Sequence, residues 1–156
     1  MPNGMENDKF IFKIVEGIPS EELLEDILVV YQNIFDDYKL DFFKNRIQQK
    51  EDLLIVLCYQ QNSLKGFKIG YQYNTTTFYS WVGGVLLEQR NNGIAKQLAQ
   101  LQEQKVKEKG YQKTRTKSMN RFKPMMILNL KNGFEIKSMY TNEVGQTKFV
   151  FEKDLN

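Results

Sequence analysis

The residues of this chain best suited to chemistry stand together in "VLLEQRNNGIAKQL", residues 85 to 98. An apolar run ends, a polar turn with Arg90, Asn91 and Asn92 follows, and a helical pattern starts behind Gly93. The first turn of a helix leaves backbone N–H groups without intrahelical partners, and the helix dipole makes that end attractive to anions. Gly93 removes the side chain where a phosphate would approach the backbone, and the small Ala95 keeps the approach open. Asn and Gly in these places also serve as ordinary helix caps, so the loop alone leaves both uses open. No glycine stands five residues before Gly93, no Gly-Lys-Ser/Thr run follows it, and the three-glycine dinucleotide fingerprint is missing. An ordinary nucleotide loop is therefore disfavoured.

The chain contains no histidine. Histidine triads, imidazole zinc sites and the usual neutral-pH general base are excluded, and no metal site is expected. Proton transfer falls to carboxylates, tyrosines or water. Cys58, the single cysteine, lies in the apolar run "LLIVLCYQ" and reads as core rather than nucleophile. A lone cysteine rules out an internal disulfide and fits a reducing cytoplasm. The net charge of +3 is mild, but eight Lys or Arg residues lie between Lys105 and Lys123 against one acid, Glu108. That run is a solvated basic face or a site for a polyanionic ligand.

The elements that must position these residues follow from pattern. With 156 residues, 41% apolar and 26% charged, the chain suits one soluble domain spanning 1–156. No run approaches the ~18 apolar residues of a membrane span, and the polar opening "MPNGMENDKF" fits neither a secretory signal nor a transit peptide. In "KFIFKIVEG", Phe10, Phe12 and Ile14 alternate with polar residues as on a half-buried strand. Ser20 can cap a helix carrying Leu23, Leu24, Ile27, Leu28, Tyr31, Ile34 and Phe35, and a short helix around 42–48 follows.

"DLLIVLCYQ", "GFKIGYQYN" and "TFYSWVGGVLL" then read as an antiparallel meander joined by "QNSLKG" and "NTTT", its third strand ending at Leu87. A helix over about 93–109 stops at Gly110, and "YQKTRTKSM" forms a strand with Thr114, Thr116 and Ser118 on one side. Pro124 opens another helix that Gly133 ends, and "FEIKSMYT" and "TKFVFEKDL" close the chain as a strand pair. The order β-α-α-β-β-β-α-β-α-β-β describes an α/β (α+β) fold, with a mixed sheet of about seven strands flanked by about four helices.

"RNNGIA", Arg90 to Ala95, resembles the Arg/Gln-x-x-Gly-x-Gly/Ala motif of the GNAT superfamily of acyl-CoA-dependent N-acetyltransferases. "MNRFKPMMILNLKNGFEI" is similar to that family's fifth strand and fourth helix, and the element order matches the family's fold along nearly the whole chain. The resemblance implies acetyl transfer from acetyl-CoA to a primary amine by direct attack in a ternary complex, with a catalytically inactive acyl-CoA-binding module as the alternative.

The pyrophosphate would rest on Arg90, Asn91, Asn92, Gly93, Ile94 and Ala95, with Lys96 and Gln97 beside it. The pantetheine would pair with the backbone at Val85, Leu86 and Leu87, and Asn120 would steady it. Gly83 and Gly84 mark either the strand bulge that opens the sheet or close packing under an aromatic such as Trp81. Asn129 occupies the place of the tyrosine that many members use to protonate the leaving thiolate, and Asn cannot act as an acid.

An alkylamine, with a pKa near ~10.4, must lose a proton before it attacks. The candidate bases are Asp36, Asp37, Glu51, Tyr71, Tyr73 and Tyr79; Glu88 is set aside because similar members carry a surface acid there. A small-molecule or peptide amine is the implied acceptor for a cytoplasmic monomer or homodimer. No membrane partner is expected, and nucleic acid, through the basic run, is the third and least favoured use.

Overall fold

The computed structural model describes residues 9–156, so "MPNGMENDKF" falls outside the described residues except for its last two positions. The elements follow the expected order: β1 (Ile11–Glu16), α1 (Glu21–Ile34), α2 (Leu40–Gln49), β2 (Leu54–Gln60), β3 (Ser63–Gln72), β4 (Thr77–Val85), α3 (Ile94–Glu108), β5 (Lys113–Met119), α4 (Lys123–Lys131), β6 (Glu135–Thr141) and β7 (Thr147–Asp154). Two 3-10 turns, Leu87–Gln89 and Asn120–Phe122, follow β4 and β5. The strands form one sheet in the order β1-β2-β3-β4-β5-β7-β6. Every neighbouring pair is antiparallel except β4 and β5, which run parallel on either side of α3 in sequence.

Helices cover both faces of the central strands. On one face, Ile27 and Leu28 of α1 and Phe43 and Ile47 of α2 pack against Ile55, Leu57, Phe67 and Ile69. On the other, Ile94 and Leu98 of α3 pack against Val56, Cys58 and Val85, while Val106 joins Leu54, Phe78 and Tyr111. This double cover explains why Leu54 to Cys58 of β2 are all buried in sequence rather than in alternation. The Ser20 hydroxyl accepts the Leu23 N–H at 3.2 Å, and Glu21 and Glu22 sit favourably in the first turn of α1.

Two boundaries and one side chain differ from expectation. β3 starts at Ser63, inside the expected connector, because Gln61 and Asn62 adopt φ of +53° and +63° and close a two-residue hairpin turn. β4 ends at Val85: Leu86 donates its N–H to the Lys65 carbonyl at 2.9 Å, and the chain then winds into the 3-10 turn instead of continuing to Leu87. Ile14, expected inward on the first strand, is 41% exposed, β1 being an edge strand of the sheet.

Candidate active site

β4 and β5 lie side by side only where Thr77, Phe78 and Tyr79 face Lys113, Thr114 and Arg115. Beyond that point β4 stays with β3 as far as Val85, and β5 stays with β7 as far as Met119. The sheet therefore opens along its centre, and the Thr116 hydroxyl donates to the Ser80 carbonyl at 2.9 Å where the opening begins. Ile69 faces Val82 while Gly70 faces Ser80, so Trp81 is an extra residue on β4. The bulge thus sits at Trp81, not at Gly83 and Gly84. Those glycines serve close approach, though not beneath Trp81. A Cβ on Gly84 would lie 2.8 Å from Ile34 Cδ1, and one on Gly83 would lie 2.9 Å from the Phe67 carbonyl oxygen.

The connection from β4 to α3 ends at the mouth of this opening. Gly93 is the helix N-cap at φ +73°, Asn91 is also left-handed at +69°, and no side chain caps the first turn of α3. A Cβ on Gly93 would meet nothing within 4 Å, so backbone conformation alone demands glycine. The first turn carries no acid, and Ala95, Lys96 and Gln97 are exposed. Two side chains brace the loop: Asn92 Nδ2 donates to the Gln89 carbonyl at 3.0 Å, and Arg90 Nε donates to the Val85 carbonyl at 3.3 Å. A helix end uncapped by side chains or acids, with Arg90 and Lys96 beside it, fits a phosphate group.

Asn129 is the buried residue of α4, and its Nδ2 has no hydrogen-bond partner. A buried donor without a partner is costly unless a ligand or water completes it, so Asn129 fits a site that holds a polar molecule. Asn120 stands exposed at the start of the 3-10 turn after β5.

The structure brings Tyr71 and Tyr79 together on the α1 and α2 face and leaves Asp36, Asp37 and Glu51 exposed, Glu51 beside the tyrosine strand, where its backbone carbonyl accepts the Gln72 N–H at 2.9 Å. Burial pushes the Tyr79 hydroxyl up to about 12 and raises Tyr71 as well, so neither accepts a proton at neutral pH. Tyr73 is 51% exposed beneath the Arg115 guanidinium at 4.6 Å. Asp37 pairs with Arg121 at 2.6 Å, and that hydrogen bond holds its carboxyl below the usual range.

Sequence reasoning passed over Arg46, Lys50 and Lys68, and took Lys117 only as part of the basic run. Arg46 of α2 lies 5.0 Å over the Trp81 ring, Lys50 lies 5.2 Å over Tyr71, and Lys117 lies 5.2 Å from Tyr140 and 5.9 Å from Tyr79. On the other face Lys68 of β3, half-buried opposite Gly83, has no acid partner among the described residues, and burial pushes its ammonium down to about 8. Its setting in the apolar run "GFKIGY" was the available signal. The basic run from Lys105 to Lys123 does not form one face. Lys105 and Lys109 pair with Glu16, Arg115 with Glu152, and Arg121 with Asp37. Among the described residues no group of His, Cys, Asp or Glu is gathered to hold a metal ion, and no helix is long and apolar enough to cross a membrane.

A mixed sheet opened between its one parallel pair, with a helix starting uncapped behind the first of those strands, defines an α+β class for which solved structures exist. No family model matches the chain, and no curated protein matches it by sequence. The ribosomal-protein-S18-alanine N-acetyltransferase from Escherichia coli superposes with a TM-score of 0.77 at 12% identity, covering 94% of this chain and 95% of its own. A GNAT family acetyltransferase from Elizabethkingia anophelis with acetyl-CoA bound matches at 0.71 and 19% identity, covering 92% and 97%. The PaiA N-acetyltransferase from Thermoplasma acidophilum, in complex with coenzyme A, matches at 0.69 and 20% identity, covering 92% and 99%. The chain has the GNAT fold.

Proposed function

We propose that this protein is an N-acetyltransferase that moves the acetyl group of acetyl-CoA to a primary amine by direct attack. The observation that carries this reading is the parting of β4 from β5 beside the uncapped start of α3. The first-turn amides of α3, with Asn91, Asn92, Arg90 and Lys96 around them, hold the pyrophosphate. Backbone groups of β4 between Trp81 and Val85, which have no β5 partner, receive the pantetheine as an added strand. Leu86 and Leu87, in the turn, flank its outer end, and Asn120 and the Nδ2 of Asn129 supply side-chain donors. A β4 amide at the bulge meets the oxyanion as the amine attacks, and holding both reactants in line lowers the entropic part of the barrier.

No side chain in the opening serves as a strong base, so water takes the amine's proton. A thiol with a pKa near ~8.5 leaves without help from an acid, which suits Asn129 in place of a tyrosine. Cys58 is fully buried on the α3 face, and burial pushes its thiol up to about 11, so it forms no acyl intermediate. The buried free thiol suits a reducing cytoplasm. Similarity to proteins named as N-acetyltransferases, one of them for the alanine of ribosomal protein S18, supports an amine acceptor without identifying it.

The test is thiol release from acetyl-CoA across a panel of amines. Turnover that rises with pH toward the amine's own pKa, without a break near pH 6 to 7, is expected. Saturable acetyl-CoA binding with no turnover on any amine would leave a binding module instead.

A further inference from the structure

The face of the opening away from α3 carries an unbalanced charge. With the donor phosphates at the start of α3, an acceptor reaching the same acyl carbon comes from the α1 and α2 face. There Tyr79 ends the paired part of β4, its ring 5.4 Å from Tyr71, and Tyr71 stands 6.1 Å from Trp81. Three cations close around these rings from two elements: Arg46 of α2 and Lys50 at its C-cap, and Lys117 from β5. Three acids are committed elsewhere, Glu152 to Arg115 at 3.0 Å, Asp37 to Arg121 at 2.6 Å and Glu135 to Lys137 at 3.3 Å, while the exposed Asp41 of α2 and Glu51 after Lys50 reach none of the three cations. Among the described residues Arg46, Lys50 and Lys117 have no acid within ion-pair distance. Like charges gathered without counterions raise the local potential and favour an anionic visitor.

We propose that the acceptor is an amine that itself carries a carboxylate or phosphate, received by Arg46 and Lys117 across the aromatic floor of Trp81 and Tyr79. This names the substrate class of the site proposed above and rests on that assignment. Arg46 contributes a planar, forked donor set already oriented by Trp81 and Phe42, and Lys117 supplies an exposed point charge. A polycationic amine would meet three uncompensated cations and be repelled.

Trp81 is the only tryptophan, and Arg46 lies on it, so intrinsic fluorescence reports occupancy without turnover. Glutamate, phosphoethanolamine and a peptide with acidic residues after its N-terminus are titrated against propylamine and spermidine, and each is assayed for acetyl-CoA-dependent thiol release. The anionic amines are expected to shift the Trp81 signal and to have at least about tenfold higher kcat/KM than propylamine. Lys117→Gln and Arg46→Gln should erase that preference by raising the acceptor KM, while Lys117→Arg restores it. Lys117 is exposed, so its variants keep the comparison open if Arg46→Gln does not fold. The free amino acid and the peptide arms separate a metabolite from a protein N-terminus.

Preference for spermidine or propylamine, or unchanged selectivity in Lys117→Gln, overturns the proposal and leaves acetyl transfer standing. Charge-dependent Trp81 shifts with no thiol release on any amine support the anion site and reject transfer. A salt-sensitive response to a single-stranded oligonucleotide, with none to the amines, rejects the proposal in favour of nucleic acid.

Discussion

Lys68 shows how one residue can be visible in a sequence and still be misjudged. It interrupts "GFKIGY" at a position whose neighbours along the strand face, Gly66 and Gly70, are glycines, and it lies against Gly83 of β4. Burial without a carboxylate depresses its folded-state pKa from 10.5 to about 8, so the unfolded chain binds the proton more tightly. The lysine therefore costs stability below pH 8, and that cost fades as pH rises from about 8 toward 10.5. Lys68→Met is expected to raise stability at pH 7 by about 1–2 kcal/mol in chemical denaturation, with the gain shrinking by pH 10. A gain of equal size at both pH values would assign the effect to packing rather than charge. Asn129 drew attention by its place in "NLKNGF", but its orphaned amide was not legible there, because partnership depends on burial by elements distant in sequence.

At the scale of elements, periodicity carried the order of strands and helices, since each apolar stripe is written locally in the chain. What it could not carry is register. The extra residue at Trp81 exists only as a mismatch between β3 and β4, and no property of "SWVGG" alone separates Trp81 from the glycines after it. The early start of β3 was hidden because Gln61 and Asn62 take left-handed conformations without a glycine to announce the turn. The pairing of Arg46 with Trp81 joins elements far apart in sequence, and nothing in α2 alone announces it. The start of α3 was legible because the left-handed cap requires its glycine. Gly93→Ala should cost about 1 kcal/mol through φ +73°. By placing a methyl group where a phosphate would sit, it should also raise the KM for acetyl-CoA on the order of tenfold, about the loss of one anion contact. An unchanged KM with only a lower Tm would mean that the cap is structural and the anion binds elsewhere.

The molecule as a whole is fastened at the end of the sheet where β4 and β5 are still paired. Lys109, at the end of α3, reaches Asp52 at 2.6 Å and Glu16 at 2.9 Å, and the Tyr111 hydroxyl donates to Asp52 at 2.5 Å. These contacts join β1, the approach to β2, α3 and the approach to β5. Burial works to raise the Asp52 carboxyl, but Lys109 and Tyr111 together hold it below the ordinary carboxylate value. A depressed carboxyl contributes stability above its unfolded pKa and loses it as pH falls through the folded one. Asp52→Asn should cost about 1–2 kcal/mol at pH 7, with the difference from wild type shrinking in denaturant titrations as acid protonates the depressed carboxyl. A difference that persists in acid would point to geometry rather than charge.

With that end fastened, the parted strands offer mainly peptide groups, and peptide groups are the same in every sequence. A binding surface made of main chain constrains side chains only where they must be small, as at Gly83, Gly84 and Gly93, or must start a helix. Such a surface tolerates extensive substitution, and it is what structures sharing this shape at 12% to 20% identity have room to keep. A shape kept in this way is written in hydrogen-bond vacancies more than in residues, while the cations over Trp81 and Tyr79 are set by side chains of this sequence.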